Sequence, residues 1–397
     1  MATVINPTAL GKYAGAYLGR NTGPQQYAQV PHDGTAQQVI VNRNIPLNLP
    51  LYALWVRWQG RITIGTANFS AAWAESPQTL INQIQIQGTY KGNNLTPIKL
   101  SGATAFAWMR CFQARGNSSY INGTRQPEPS VPFAQALATI GNTGTYDLDI
   151  WYCIPTWPVI SLSSRARTLA PYFWQGADWG NSMVVTLNLN DKTALGTPGG
   201  GTTVAFTAFG SGTGTPTVSL YTDYALLGVM KTGFRTAAVV RGENLVTGGM
   251  SALGQNVQLA QLQNQKTANV LIKSGVLATG TTSGVQCFAS LSDTQLDLTQ
   301  LLVNNQNVRP TPANLVAKEF IGLQFATVEP QGYLPFSFID SQNPRSAYRA
   351  DLPQVVGSGG LFQVVSSIIT ANANQAISYT QEMIFADVND PDWADTQ

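Results

Sequence analysis

The same series of local patterns occurs twice along the 397 residues of this chain, once in each half. Each copy contains a pattern that opens a helix, a strand with Gly and Tyr near its start, two arginines, a leucine closely followed by a proline, and a further strand. The copies span residues 131–189 and residues 311–369. A repeated order is more specific than any of its parts, so the sequence predicts a duplicated domain.

Two tyrosines mark corresponding points of this repeat. Tyr146 and Tyr333 each follow a glycine at the start of a strand, and we expect them to take equivalent places in the two domains. The halves also open alike, since residues 39–43 are Val-Ile-Val-Asn-Arg and residues 238–241 are Ala-Val-Val-Arg. This second match predicts that both segments form the first strand of their domain.

Apolar and polar residues alternate over short segments, as in residues 47–51 and 185–189. A period of two places one face of each strand on a core, and turns rich in Gly, Pro, Asn and Thr separate the strands. Helical spacing is found after Pro132 and after Pro312, where proline suits the first helical position. The fold class is therefore predicted to be all-β, with two consecutive β-sandwiches and short helices.

The predicted domain organisation has four parts. An extended N-terminal arm covers residues 1–38, the first sandwich residues 39–229, the second sandwich residues 230–388, and an acidic C-terminal tail residues 389–397. The arm is rich in Gly, Pro and Gln and has weak periodicity. It can bury little apolar surface of its own, so we expect it to stay mobile until a partner orders it.

The arm contains one amphipathic segment. Leu10, Tyr13 and Tyr17 are spaced for one face of a short helix, and Lys12 and Arg20 are the only cations of residues 1–38. These cations would suit anionic lipid head groups or a neighbouring subunit.

The low charge content argues against a nucleic-acid binder. Charged residues make up 11% of the chain, and its net charge is +2, compared with about 25% charged residues in an ordinary soluble protein. A specific nucleic-acid binder is expected to carry a dense basic surface. We therefore expect no specific nucleic-acid partner, and a surface used mostly for contact with protein neighbours.

The residues of metal sites and hydrolases are scarce. His32 is the only histidine and stands in a turn-like stretch, so it is expected to be a solvated loop residue. Cys111, Cys153 and Cys287 are odd in number and lie far apart without metal-ligand spacing, which predicts three buried thiols. Because histidine is the commonest general base near neutral pH, we expect no enzyme, no metal and no cofactor.

Carboxylate pairs leave one enzymatic alternative, because an all-β glycosidase needs only two carboxylates. Asp147 with Asp149 and Glu319 with Glu329 are the candidates, although solvated positions at the ends of strands or helices are the simpler interpretation. The aspartates of residues 387–395 lack the glycine-bearing spacing of a calcium loop and are expected to form an exposed tail.

Neither a secretory signal nor a membrane span is expected. The first residues lack a basic region followed by an apolar core. No apolar run approaches the roughly 18 residues that a spanning helix needs. The sequence thus predicts folding in a cytosol.

Two groups of residues are candidates for subunit contacts. Aromatic residues are dense between residues 146 and 179, and some should lie at interfaces while others pack a core. The repeated arginines could pair with carboxylates across a subunit contact or anchor a loop within one domain. The candidate interface residues are Trp151, Trp157, Trp174, Trp179, Arg165, Arg167, Arg345 and Arg349.

The duplicated sandwich, the helix before each Gly/Tyr strand, the extended arm and the weakly charged surface resemble the double jelly-roll major capsid proteins. That lineage includes the tectivirus capsid proteins and the adenovirus hexon. The resemblance covers nearly the whole chain in architecture and length but includes no diagnostic peptide. It implies two consecutive eight-stranded jelly-roll β-sandwiches, three chains in a homotrimer of pseudo-hexameric outline, and trimers that tile an icosahedral shell.

The resemblance also implies partners and a location. Neighbouring trimers, minor capsid or vertex proteins and an internal viral membrane would contact the protein in the virion, here expected to be that of a bacteriophage. The chain would reside in the host cytoplasm before assembly, and the arm, with Lys12, Tyr13, Tyr17 and Arg20, would lie on the inner face of the shell. The alternatives are a phage spike or carbohydrate-binding receptor protein and, as an enzyme, the glycosidase.

Overall fold

The structure is a computed structural model of the chain, and it describes residues 17–65, 69–72, 77–112, 118–125, 144–158, 172–180, 182–198, 203–227, 238–247, 255–258, 265–277, 288–290, 296–303, 306–309, 332–337, 362–368 and 375–385. The predicted helices after Pro132 and Pro312 and the predicted boundary between the sandwiches at residues 229 and 230 lie outside these residues. Within them, no helix is long and apolar enough to cross a membrane.

Strands dominate the first half. The strands are β1 (Tyr17–Asn21), β2 (Gln25–Pro31), β3 (Gln37–Ile40), β4 (Leu51–Ile64), β5 (Phe69–Ala72), β6 (Ile81–Tyr90), β7 (Asn93–Leu100), β8 (Ser118–Ile121), β9 (Thr124–Arg125), β10 (Gly144–Pro155), β11 (Val184–Leu189), β12 (Gly196–Pro198), β13 (Val204–Thr207) and β14 (Thr217–Leu227). The α-helices described are α1 (Gly102–Phe112) and α2 (Gly176–Trp179).

The second half continues with strands. They are β15 (Ala238–Thr247), β16 (Gln255–Gln258), β17 (Gln265–Leu277), β18 (Phe288–Ser290), β19 (Leu296–Val303), β20 (Gln306–Arg309), β21 (Tyr333–Ser337), β22 (Phe362–Ile368) and β23 (Gln375–Phe385).

The two halves have the same strand order. In the first half, a larger sheet runs β2-β14-β4-β10, and a smaller sheet runs β3-β11-β6-β7. In the second half, the larger sheet runs β15-β23-β17-β21 and the smaller sheet runs β16-β22-β19-β20. If only the eight strands just named in each half are numbered in chain order, both larger sheets read 1-8-3-6 and both smaller sheets read 2-7-4-5. The remaining strands β1, β5, β8, β9, β12, β13 and β18 are additions to these eight. The shared order is the double-sheet arrangement of an eight-stranded jelly roll, which confirms the predicted fold class.

Each larger sheet has an inner face on the core of its own roll and an outer face on the opposite side. Strand β4 shows the alternation that separates the faces, because Val56, Trp58 and Ile62 are fully buried while Arg57 and Arg61 between them are half-buried. Residues directly opposite one another on paired strands share a face. The neighbours of Trp58, which are Ile150 on β10 and Val218 on β14, therefore lie on the inner face too.

The two rolls are joined edge to edge. Strand β7, the edge of the first roll's smaller sheet, pairs in parallel with β15, the edge of the second roll's larger sheet. Arg241 of β15 stands beside Ile98 of β7, and Gly242 stands beside Lys99. A single sheet therefore runs from one roll into the other.

The predicted arm is too long, since the sheets include much of residues 17–38. Gln25–Pro31 forms β2, and Tyr17–Asn21 forms β1; both pair with β14. Strand β2 is the first strand of the first roll and corresponds to β15. The predicted match between residues 39–43 and 238–241 is therefore wrong, because Val39 and Ile40 belong to the second strand of their roll. Strand β2 lies at the sheet edge and is rich in glutamine, so its sequence gives a weak strand signal. Backbone pairing with β14 holds it, together with Tyr27, Ala28 and Val30, which pack on the core.

Tyr146 and Tyr333 begin corresponding strands but point to opposite faces. Tyr146 stands opposite Ile62 on the inner face of the first roll. Tyr333 stands opposite Lys273, whose face also carries Asn269; Asn269 bonds to Glu382 on the outer side, as described below. The predicted equivalence is correct for the two strands, which correspond, and wrong for the two tyrosines. Their positions differ by an odd number of residues in the strand register, which places the side chains on opposite faces.

Helix α1 was not predicted. The described side chains of its first two turns are buried on all sides, including Phe106 and Trp108, so the segment has no polar face to reveal a helical period. Its start is nonetheless marked by Ser101, whose hydroxyl oxygen accepts a hydrogen bond from the Thr104 backbone N–H at 3.2 Å.

Candidate functional site

A buried ion pair lies where the two rolls meet. Arg241 of β15 and Glu382 of β23 stand opposite each other, and their Nε and Oε2 atoms are 2.6 Å apart. Their side chains are 1% and 0% exposed. The Asn269 amide donates to the other oxygen of Glu382 at 2.6 Å. Both carboxylate oxygens are thus occupied, which a buried charge requires.

The first roll supplies the remaining partners of this guanidinium. Nη1 of Arg241 donates to the carbonyl oxygen of Pro155, and Nη2 donates to that of Trp157. These carbonyls lie at the end of β10 and just beyond it. One arginine therefore ties the second roll's outer face to the end of a first-roll strand.

Glu243 forms a second tie between the rolls. Its carboxylate accepts hydrogen bonds from the Ser101 backbone N–H at 2.6 Å and from the Thr104 hydroxyl at 2.7 Å. The Ser378 hydroxyl of β23 donates to the same carboxylate at 2.8 Å. The start of α1, where negative charge is favoured, is held in this way against β15.

A cleft of about 330 Å³ lies beside these ties. Both rolls line it, with Asn82 and Lys99 from β6 and β7 and with Lys273 from β17. Its lining is mixed in charge, because Glu243 faces the same space. The two rolls are therefore in contact at the Arg241 and Glu243 ties and are separated by this cleft beside them.

The outer face of the first roll's larger sheet carries two ion pairs. Arg57 of β4 holds both oxygens of Asp149 at 2.7 and 2.6 Å, and Arg61 holds both oxygens of Asp147 at 2.8 Å. Hydrogen bonding to Asp149 raises the pKa of Arg57, and hydrogen bonding to Arg61 lowers the pKa of Asp147. These bidentate pairs have the geometry of strong charge-assisted hydrogen bonds.

Aromatic side chains cover the same face. The Arg57 guanidinium lies 4.7 Å from the ring centre of Trp151, which is 5.1 Å from the ring of Tyr221. Trp55 completes the row at 6.4 Å from Trp151. All four side chains are half-buried. A face of arginine, tryptophan and tyrosine matches the composition of protein interfaces.

The carboxylates proposed for a glycosidase are poorly suited to that role. A glycosidase acid needs a raised pKa, whereas the pKa of Asp147 is lowered by Arg61. Asp149 is held in a bidentate pair with Arg57. Glu319 and Glu329, like the aspartates of residues 387–395, lie outside the described residues.

Three of the predicted interface tryptophans pack inside the protomer. Trp157, Trp174 and Trp179 are 5%, 1% and 2% exposed. The rings of Trp174 and Trp179 pack at a tilt of 51° with their centres 5.6 Å apart, and the Trp157 ring is 5.5 Å from that of Tyr52. Their side chains have little surface left for a neighbouring subunit, so the expectation of subunit contact is corrected for these three. Trp151 alone of the four stays half-exposed and remains a candidate.

The other candidates fall mostly outside the described residues. This applies to Arg165, Arg167, Arg345, Arg349, Lys12 and Tyr13. Tyr17 and Arg20 belong to β1, whose backbone pairs with β14, and their side chains are not among those described. Their interface and inner-face roles stay predictions.

The sole histidine is buried, which corrects the expectation of a solvated loop residue. His32 is 0% exposed, and its Nδ1 accepts a hydrogen bond from the Trp58 indole N–H at 3.0 Å. Phe206 packs edge-on against the imidazole at 5.7 Å. The backbone N–H of His32 bonds to the Pro216 carbonyl, which continues the β2–β14 pairing into the core. His32 is buried by contacts with residues distant in sequence, so the local sequence could not predict its burial.

Cys111 and Cys153 are buried free thiols, as predicted, and Cys287 lies outside the described residues. Among the described residues, no three His, Cys, Asp or Glu side chains are grouped so that they could hold a metal ion.

The junction residues were missed by sequence analysis although a signal was present. In a chain with 11% charged residues, Arg241 and Glu243 lie within β15 and Glu382 lies within β23. Rare charges inside strands draw attention to a polar face, but Arg57 and Arg61 in β4 follow the same pattern on a half-exposed face. The pattern alone therefore does not tell a buried polar face from a half-exposed one.

Solved structures similar to this chain are major capsid proteins of viruses. The major capsid protein of Sulfolobus turreted icosahedral virus has a TM-score of 0.54 and 14% identity over 93% of this chain and 97% of that chain. A chain in the atomic structure of the same virus has a TM-score of 0.54 and 13% identity over 94% and 95%. The Faustovirus major capsid protein has a TM-score of 0.50 and 10% identity over 97% and 92%.

These similarities confirm the predicted resemblance in fold. The chain has the double jelly-roll fold of these major capsid proteins over nearly its whole length. No protein-family model and no curated protein matches the chain.

Replacing Arg241 by methionine should strongly destabilise the protein. The change leaves Glu382 buried without its cation, and breaking a buried ion pair costs about 3–5 kcal/mol. Urea unfolding followed by tryptophan fluorescence measures the loss. The double variant Arg241→Met with Glu382→Gln should recover part of it, since no buried charge is then left unpaired.

The matched control is Arg61→Met, which removes an arginine from the half-exposed pair with Asp147. With both variants compared as dissociated chains, it should cost much less, because solvent screens exposed pairs. Equal losses in the two single variants would contradict the role assigned to Arg241.

His32 should make the protein less stable in mild acid. Burial lowers the pKa of His32, although Asp33 and Asp191 oppose this shift. The unfolded chain then takes up this proton more readily than the folded chain, so stability falls as the pH drops below the unfolded value of about 6.5. Protonation also removes the acceptor that Trp58 uses.

The control His32→Asn keeps an acceptor but does not titrate in this range. Thermal unfolding between pH 7.5 and 5 should show a smaller decline for this variant than for the wild-type chain. Because His32 is the only histidine, its NMR titration is unambiguous. A folded-state pKa at or above the ordinary value would contradict the prediction.

Proposed function

We propose that this chain is a non-enzymatic major capsid protein that forms homotrimers, and that these trimers tile an icosahedral shell. The observation that carries the proposal is the identical 1-8-3-6 and 2-7-4-5 strand order of the two rolls. The fold shared with the two capsid proteins supports it. Two similar rolls in each chain allow three chains to present six similar units around a ring.

The contact between the rolls supports a ring. Strand β7 at one edge of the first roll meets β15 at a different edge of the second roll. This is a head-to-tail contact between unlike surfaces. Among the described strands, the corresponding edges, β2 of the first roll and β20 of the second, pair with no further strand beyond β14 and β19. Repeated between chains, heterologous contacts of this kind close into rings when the rotation permits.

The finer parts of the proposal follow from the same role. The trimers would contact one another, minor capsid or vertex proteins and an internal viral membrane in the virion of a bacteriophage. The chain would fold in the host cytoplasm before assembly. Residues 1–16, which include Lys12 and Tyr13, would face the inside of the shell, where cations favour anionic lipid.

The purified protein should be a trimer. Light scattering after size-exclusion chromatography should give three times the chain mass of 42.5 kDa, because an obligate interface of roughly 2,000 Å² or more keeps subunits together. Negative-stain images should show hexagonal outlines, sheets or shells. A stable folded monomer would contradict the proposal, and isolated trimers that never assemble would favour a spike protein.

Deleting residues 2–16 should leave the trimer intact and impair shell assembly. The deletion ends before β1 and so removes none of the described strands. A deletion to residue 30 would instead remove most of β2 and break its pairing with β14. Particle yield by electron microscopy, with trimer mass as the control, tests the arm. Normal particles from the deletion variant would show that these residues are dispensable.

A further inference from the structure

The outer face of the second roll's larger sheet is covered by the first roll of the same chain. Three charged residues of this face, Arg241, Glu243 and Glu382, bond to neighbours at the junction. The first roll covers these three with the end of β10 and the start of α1. A fourth charged residue, Lys273, is buried on the same face and lines the cleft. Polar side chains on this face are therefore buried by a neighbouring roll.

Within the described residues, the second roll does not cover the corresponding face of the first roll. A loop of the first roll lies over the pair of Arg61 and Asp147, where the Gly210 N–H donates to Asp147 at 2.9 Å, while the aromatic part of the face stays half-exposed. Strands β2, β14, β4 and β10 correspond in order to β15, β23, β17 and β21. Their outer face carries Arg57, Arg61, Asp147 and Asp149, whose side chains are 23%, 23%, 20% and 15% exposed. The corresponding outer faces of the two rolls thus differ. Only the face of the second roll is covered by the other roll of the same chain.

The chemistry of the uncovered face is that of an interface core. Trp55, Trp151, Tyr221 and Arg57 form one continuous cluster through ring and cation contacts. Tryptophan, tyrosine and arginine are the residues most enriched among those that dominate binding energy. Their ion pairs are already bidentate, so a partner could cover them without leaving an unpaired charge.

We propose that the second roll of another copy of this chain covers this outer face. The contact repeats between chains the arrangement that Arg241 and Glu243 make within the chain, and it is head-to-tail. The inference rests on the proposed self-assembly and adds the surface through which it occurs. The centre of that surface is Trp151, which stands directly opposite Arg57 on the paired strands.

The test is a charge introduced at the centre of the face. Trp151→Glu should weaken self-association at least about 30-fold, as expected for the loss of a dominant interface residue. Within the chain the new carboxylate can pair with Arg57, so the melting temperature of the dissociated protein should change little. Ultracentrifugation over a concentration series measures association.

The matched control is Ile40→Glu. Ile40 is a large apolar residue that is 58% exposed, and it lies on β3 of the first roll's smaller sheet. This variant should associate as the wild-type chain does. Equal weakening by both substitutions would overturn the assignment of the contact to the outer face.

Hydroxyl-radical footprinting of the wild-type protein gives a second measurement that does not depend on the variant folding. Trp55, Trp151 and Tyr221 should be oxidised several-fold more slowly in the assembled than in the dissociated chain. Ile40, which is 58% exposed and lies on the smaller sheet, should show no such protection.

The outcomes separate the two proposals. A wild-type chain that remains monomeric contradicts the proposed function. A wild-type trimer with unprotected Trp151, or a Trp151→Glu variant that is still a normal trimer, overturns this inference while the proposed function stands.

Discussion

The junction between the rolls depends on one requirement, which is that every charge buried on the second roll's outer face has a partner. Arg241 and Glu382 are almost fully excluded from solvent, and an uncompensated ion there would cost several kcal/mol. The carbonyls of Pro155 and Trp157 can accept hydrogen bonds from Arg241 only if β10 ends beside β15. The parallel pairing of β7 with β15 and the position of α1 are consistent with this single geometric condition.

Duplication explains why one chain shows both a covered and an uncovered form of the same sheet face. In the second roll the face is polar and largely buried, with asparagine and glutamate at its centre. In the first roll it is half-buried and combines bidentate ion pairs with aromatic rings. Ion pairs that are satisfied within the chain allow this face to be stable both in water and under a partner.

The fold class could be predicted from the sequence for two reasons. Apolar and polar residues alternate in strands such as β4 and β11, and the same order of motifs occurs in both halves. The sequence was insufficient wherever tertiary contacts override local pattern. Strand β2 is rich in glutamine and is placed by its pairing with β14, and the described side chains in the first two turns of α1 are all buried, so they show no polar face. The local sequence around His32 is that of a turn, but its hydrogen-bond donor, Trp58, is 26 residues away in sequence. Aromatic density made Trp151 and Trp174 equal candidates for an interface, and it could not show that Trp174 is a core residue while Trp151 is half-exposed.

A fold that is shared at 14% identity over nearly whole chains must depend on features that few individual residues determine. The strand order of a jelly roll requires alternation and closing turns, and many side chains meet both conditions. The junction requires more, since a buried arginine is satisfied only by acceptors at fixed positions. The general architecture can therefore persist while the specific contacts between rolls change. In this chain, Arg241 determines how the two rolls of one chain fit together, and we propose that the face around Arg57 does the same between chains.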